Sequence, residues 1–238
     1  MSGLENIKAK SAQLSSLYDE ILQCHRCIGE PGCLMSEESK GVRRIIKEQV
    51  FSSKIFIIAQ ALGGTTLKLS GLPYTNVNGK ISTTGRQFNR FLSLLGYTVY
   101  PNSADPTLQY AYCSDIVYCF PGKNPSRKGD RKPSDVEIHS CVVKRFFLRE
   151  MEIIKPKLII LAGSVSYQTF YRYVLKMEPF KSLSEARDSI VATGVPRFSI
   201  GGQQPYVVPI QHPSGANPHF HETLKDTLLI SLIKGVLR

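Results

Sequence analysis

The sequence predicts an α/β fold, a three-layer α/β/α sandwich with a central four-stranded parallel sheet. Two observations carry that expectation. Four short, nearly uninterrupted apolar runs occur at residues 54–59, 111–117, 157–162 and 206–210, each the length of a strand buried on both faces. Between them lie segments whose apolar residues recur at helical spacing. Strands that alternate with helices favour parallel pairing, helices on both faces, and function at the carboxyl ends of the strands.

Each element follows from its local pattern. Over residues 11–23, Leu14, Leu17, Ile21 and Leu22 mark a helix that delivers Cys24-His25-Arg26-Cys27 at its end. The polar stretch 36–47 reads as a surface connection. The first strand, KIFIIA at 54–59, opens into Gly63-Gly64, and the Gly-, Thr-, Asn- and Ser-rich stretch 65–83 is too long for a tight turn and reads as a binding loop. Phe88, Phe91, Leu92 and Leu95 give a helix over 85–95, stopped by Gly96.

The second strand, 111–117, leads into a basic loop, PGKNPSRKGDRKP at 121–133, whose prolines and glycines forbid a long regular element. One helix is expected over 136–154, carrying Cys141, Phe146, Phe147 and Leu148. The third strand ends at Gly163, a helix covers 164–175, and a closing helix covers 222–237. No internal repeat is visible.

The chain has 238 residues, 42% of them apolar, enough for a well-buried core, and one domain spanning 1–238 is the default, with its amino-terminal helix and cysteine segment at 11–35. A formal net charge of +11 favours an acidic partner, nucleic acid or an anionic membrane, over a merely soluble basic protein. No run of about eighteen apolar residues suits a membrane span, and MSGLENIKAK has no apolar signal-peptide region, so a cytoplasmic protein with no membrane partner is expected. In a reducing compartment, six cysteines read as metal ligands or buried thiols before a disulfide framework.

Several motifs, in order, carry a more specific reading. AQALGG at 59–64 follows the first strand, and QHPSGAN at 211–217 follows the fourth. Taken alone, His212 beside a proline would be a structural histidine. Together these loops resemble the uracil-DNA glycosylase superfamily, whose first-strand motif is of the type GQDPY or GEAPG and whose last-strand motif is of the type HPS or NPSG. SDIVYCFP at 114–121 is similar to the TNIVKCRPP stretch of the iron–sulfur-containing family 4 enzymes. REMEIIKPKLIILAG resembles their ELLKPKVIVALG pattern, and GLPYTN with STTGRQFNRFL resembles GxPFVGxAGxLL with extra residues inserted. The resemblance covers Cys24 to Phe220.

The resemblance implies a [4Fe–4S] cluster on Cys24, Cys27, Cys119 and Cys141, a donor set that suits such a group. Zinc in the same ligands is the alternative. The interval from Cys119 to Cys141 is longer than the family pattern. Cys33 and Cys113 are spare thiols, and Cys33 lies close enough in sequence to replace one ligand.

Asp115 departs most informatively from the family, which places Asn there to read uracil through a donor to O4 and an acceptor for N3–H. An ionised carboxylate would repel O4 and accept from the exocyclic amine of cytosine. Its second oxygen would face N3, where a shared proton turns repulsion into a hydrogen bond. Excision of ordinary cytosine would destroy the host genome, so a modified cytosine is expected, 5-hydroxymethylated or glucosylated as in phage DNA, with a role in anti-phage defence. A neutral Asp115 that imitates Asn gives the competing reading, a uracil enzyme of base-excision repair.

The same resemblance places Gly63 where some members carry a Tyr that blocks 5-substituents, and Tyr74 where an aromatic ring stacks on the flipped base. Ala61, Ser214 and Asn217 complete the expected substrate-binding set. His212 would donate to O2 of the base as negative charge grows there. Gln60 could orient water but cannot take a proton as a carboxylate would, so the bond would cleave dissociatively. Ala216 stands at the apolar wedge position and is small for that task, so His219 or Phe220 would intercalate instead. Lys123, Arg127, Lys128, Arg131 and Lys132 would contact phosphates, or form a solvated loop. With no lysine placed as a Schiff-base nucleophile, the expectation is a monomeric, monofunctional DNA glycosylase. A non-catalytic module that senses a modified base, and a nucleotide-binding protein unrelated to DNA, are the readings from other classes. AQALGG lacks the complete Gly-rich phosphate fingerprint the last would need.

Overall fold

The structure, a computed structural model, describes residues 3–64, 66–99, 105–126, 129–214 and 217–238. In chain order the strands are β1 (Ile55–Ala61), β2 (Tyr97–Val99), β3 (Gln109–Val117), β4 (Leu158–Ala162) and β5 (Tyr206–Ile210). They form one sheet in the order β2-β3-β1-β4-β5, with every neighbouring pair parallel. The sheet therefore has five described strands where the sequence predicts four. The extra one, β2, is three residues at the edge beyond Gly96, too short to show a period, yet all three residues are buried.

Alternation along β1 creates two cores. Phe56 and Ile58 enter one cluster and Ile55 and Ile57 the other, because successive strand side chains point to opposite faces. The helices divide accordingly. On the first face lie α1 (Gly3–Leu22), contributing Leu14, Leu17 and Ile21, and later in the chain α4 (Asp135–Lys144), α5 (Phe146–Ile154) and α6 (Ser164–Thr169). The second face is covered by α3 (Thr83–Leu94), which follows the one-turn α2 (Leu67–Ser70), and by α8 (Phe220–Lys225) and α9 (Thr227–Leu237). An unanticipated helix, α7 (Leu183–Thr193), sits between the two, with Ala186 in the first cluster and Ile190 in the second. Each fully buried Leu, Ile or Phe side chain is worth about 1.5–3 kcal/mol over an exposed one, so both faces are strongly held.

Two expected helices are interrupted. The stretch 136–154 breaks at Arg145, whose φ of 57° is left-handed, and the break resets the helical phase so that consecutive Phe146 and Phe147 both enter the core. The closing helix divides at Asp226, whose carboxylate accepts from the Leu229 N–H at 3.0 Å and from Arg187 Nε at 2.6 Å, starting α9 afresh. After α6 the backbone continues as a π-helical turn over Phe170–Leu175.

The site follows from the crossovers. From β1 the chain runs to one edge of the sheet, returns through β3, and then adds β4 and β5 on the other side. The carboxyl end of β1 thus lies where the strand order reverses, the usual place for a ligand crevice in an open parallel sheet.

Candidate active site

Three strand ends meet there. β1 ends in Gln60 and Ala61, Asp115 of β3 lies in register with Ala59, and β5 runs directly into Gln211 and His212. Gln60, Ala61, Gly63, Tyr74, Asp115, His212 and Ser214 all line one cavity of about 640 Å³. That volume falls among those of small-molecule sites and leaves room beyond a bare pyrimidine ring.

His212 is seated by its surroundings. Gly163 lies beneath it at φ 95°, and a Cβ there would stand 3.1 Å from the His212 Cβ. Asn217, expected to bind substrate, instead braces the loop: its Nδ2 donates to the His212 carbonyl at 3.0 Å, and its Oδ1 accepts from the His219 N–H at 3.2 Å. It does not line the cavity. Burial lowers the pKa of His212 below its ordinary value, so the imidazole is neutral near pH 7 and has one N–H to donate.

Asp115 forms the opposite wall, and behind it stands a residue the sequence reading passed over. Arg44 Nη2 donates to Asp115 Oδ2 at 2.5 Å, and Nη1 donates to the Cys113 carbonyl at 3.1 Å. Arg44 lies within 36–47, read as a surface connection, yet its side chain is only 8% exposed. Lone arginines in polar stretches are usually solvated, and the only available signal was that a carboxylate inside a buried strand needs a partner. Burial works against the Arg44 charge, but Asp115 and Glu150 hold its pKa well above the ordinary arginine value. Burial pushes the Asp115 carboxyl up from its ordinary value, Arg44 pulls it back, and Glu150 pushes it up again.

The loop between β1 and α3 closes a third side. Tyr74 has a φ of 58°, a left-handed conformation that costs a non-glycine residue on the order of 1 kcal/mol and clusters at functional sites. Its ring packs edge-on against Phe88, with centroids 5.5 Å apart. Lys123 and Asp130, paired at 2.7 Å, stand at the cavity as well, and Asp130 is a carboxylate that the motif reading did not single out.

With this geometry in view, comparison with known families is decisive. The family model of the uracil DNA glycosylase superfamily matches residues 47–232. The chain belongs to the uracil DNA glycosylase superfamily. Members of that superfamily are DNA glycosylases, which act on DNA by hydrolysing the N-glycosidic bond. No curated protein matches the chain.

Within this superfamily chain, the expected DNA-contacting residues divide. Lys132 is exposed, as is Lys123, the latter neutralised by Asp130. Arg131 is not a free phosphate contact, because its guanidinium grips Glu137 at 2.6 and 2.8 Å. Arg127, Lys128 and Ala216 lie outside the described residues. Phe220 is corrected outright: it is buried against Phe91, with centroids 6.4 Å apart, and cannot leave the core to intercalate. His219 is exposed, with Nδ1 3.4 Å from Glu222. No described helix is long and apolar enough to cross a membrane.

The cysteines gather on the first face of the sheet. Cys27 and Cys141 are buried in that core, and Cys24, Cys33 and Cys119 pack against it, all five with free thiols. Burial and the neighbouring Cys33 push the Cys27 thiol up to about 12, and burial and Cys24 push Cys119 up to about 11. Cys119 and Cys24 also act on Cys141, whose pKa burial raises first. Cys113 is not among them; it lines the cavity at the strand ends. Beside the cluster, Glu137 accepts from the N–H groups of Leu34 at 2.9 Å and Ser134 at 2.8 Å as well as from Arg131, tying the cysteine segment to the basic loop.

Proposed function

We propose that the protein is a monofunctional DNA glycosylase that hydrolyses the N-glycosidic bond of a flipped, modified cytosine. The observation that carries this reading is Asp115, a carboxylate in a base-sized cavity that also holds His212. With Oδ2 engaged by Arg44, the other oxygen is left to accept from an exocyclic amine, the group that distinguishes cytosine from uracil. The volume of the cavity accommodates a 5-substituent.

The chemistry follows from charge development. As the bond breaks, negative charge accumulates on the base and positive charge on the sugar. The neutral His212 N–H is the donor for base O2, at the point where a preorganised hydrogen bond contributes most. Gln60 orients the water that captures the sugar. Modified cytosines of this kind mark foreign DNA, so a defensive role against phage belongs to the same proposal. A second reading is favoured by one observation: burial raises Asp115, and a neutral acid could donate to uracil O4. Duplexes containing uracil, 5-hydroxymethylcytosine or its glucosylated form, assayed for abasic sites in single turnover, separate the readings. Release of uracil alone would overturn the cytosine assignment, and release of no base would leave only a sensing module.

We further infer that the protein belongs to the iron–sulfur branch of the superfamily, with Cys24, Cys27, Cys119 and Cys141 holding a [4Fe–4S] cluster. Supporting this, the four thiols come from the segment after α1, the end of β3 and α4, and beyond the burial that raises Cys27, Cys119 and Cys141, Cys24 acts on all three and Cys119 on Cys27 and Cys141. Zinc on the same four thiolates is the alternative. The cluster would act as a cross-link between the amino-terminal segment and the strand that carries Asp115. Iron and sulfide should both be present in the anaerobically purified protein and lost in Cys24→Ser; their absence from the former would refute the assignment.

A further inference from the structure

Asp115 is held from behind. Arg44 does not line the base cavity; it stands on the far side of the carboxylate, bonded to Asp115 Oδ2 and the Cys113 carbonyl, with Glu150 Oε1 3.9 Å away. The Tyr118 ring lies 4.8 Å from its guanidinium carbon. Glu150 is fully buried, and its oxygens are already taken by hydroxyl donors, Tyr18 at 2.5 Å, Tyr118 at 2.6 Å and Ser114. Glu150 therefore cannot replace Arg44 as a partner for Asp115; it can only repel it. No other described residue hydrogen-bonds the Asp115 side chain, which leaves Oδ1 as the oxygen presented to the cavity.

An arginine does not lose its proton, and a buried guanidinium is tolerated only beside compensating negative charge. We propose that Arg44 is the specificity-determining positioning residue of the cavity: by holding Asp115 ionised with Oδ1 turned to the base, it makes the site accept an exocyclic amine and reject a carbonyl at the same place. The inference rests on the glycosylase reading, with Asp115 at the edge of the base. Without Arg44, Asp115 would face burial and the like charge of Glu150 unopposed, take up a proton, and become a donor suited to O4. The other groups facing Asp115 do not compensate: Tyr74 and Cys113 are held neutral by burial, His212 lies in the same cavity as a neutral ring, and Lys123 is paired with Asp130.

The test compares wild type, Arg44→Met and Arg44→Lys in single-turnover release from two duplexes, one with 5-hydroxymethylcytosine and one with uracil at the same position, from mildly acidic to mildly alkaline pH. The expected result is a fall of about 10- to 100-fold in the cytosine-to-uracil ratio for Arg44→Met, the discrimination one base-edge contact supplies. Arg44→Lys, which keeps the charge, should retain most of the ratio. In wild type the ratio should fall toward acid pH as Asp115 takes its proton, a readout that does not depend on a variant folding. Equal losses on both duplexes, with a ratio independent of pH, would overturn this inference and leave the glycosylase reading standing. A wild-type preference for uracil would overturn the proposed substrate together with it. If no base is released, titration of the Asp115 carboxyl by carbon-13 NMR, identified by its loss in Asp115→Asn, decides. A carboxyl still protonated at neutral pH refutes the role of Arg44, and one that is ionised there and rises in the Arg44 variants upholds it.

Discussion

Two carboxylate–arginine pairs, Glu137 with Arg131 and Asp115 with Arg44, are largely buried, and they are built differently. Glu137 with Arg131 is saturated: the carboxylate accepts four N–H donors, two from the guanidinium and two from the backbone. Asp115 with Arg44 is left open, with one side-chain donor and one oxygen toward the cavity. Burial pushes both carboxyls up. Around Glu137 the hydrogen bonds from Arg131, Ser134 and Leu34 win and leave it below its ordinary value, whereas around Asp115 burial wins. A carboxylate whose lone pairs are all spent locks two segments together, and one with a spare lone pair is available to a ligand.

The comparison breaks if the two sites fail to separate stability from activity. Glu137→Ala takes the shared acceptor from two backbone N–H groups and leaves the Arg131 guanidinium only the Lys132 carbonyl, and should cost about 3–5 kcal/mol in chemical denaturation; a loss below about 1 kcal/mol would show that the pair locks nothing. His212→Ala should do the reverse, lowering single-turnover base release by about 10²- to 10³-fold while moving the unfolding midpoint far less than Glu137→Ala does. Asp115→Asn restores an amide at the base edge and should move preference toward uracil by roughly tenfold; an unchanged preference would remove the carboxylate from recognition.

The smallest effect is the most diagnostic, because its sign differs between the pairs. Glu137, lowered in the folded state, contributes stability that is present above its ordinary value of 4.5 and is lost as pH falls through the folded value. Asp115, raised from 3.8, contributes stability present below that value and lost as pH rises through the folded one. Urea midpoints measured against pH should therefore show a shallower acid limb in Glu137→Gln and a steeper one in Asp115→Asn.

Much of this was legible in the residues. The apolar runs at 54–59, 157–162 and 206–210 gave strands because parallel strands covered on both faces need uninterrupted β-branched and apolar side chains. The site was legible where a motif sits on a strand tip, as with Gln60, Ala61 and His212, since the strand fixes where the tip points. It was not legible where a residue reaches in from elsewhere. Arg44 comes from an aperiodic polar stretch, and Asp130 from a loop read for its positive charge. Phe220 was misjudged because its place after HPSGAN suggested exposure, while its role is to start α8 and fill the core beside Phe91. Neither Arg145 nor Asp226 marks a helix break as a glycine would, because one is a non-glycine residue in a left-handed conformation and the other a cap internal to an apolar pattern.

Gly163 places a limit on how this chain can vary. The turn that launches α6 and the ring expected to meet the departing base share one seat, with less than a methyl group's thickness to spare between them. A side chain there would press on His212 itself, a residue of the cavity wall, and tilt its imidazole. Drift at the start of a helix on one strand would then be felt as lost chemistry at the end of the next.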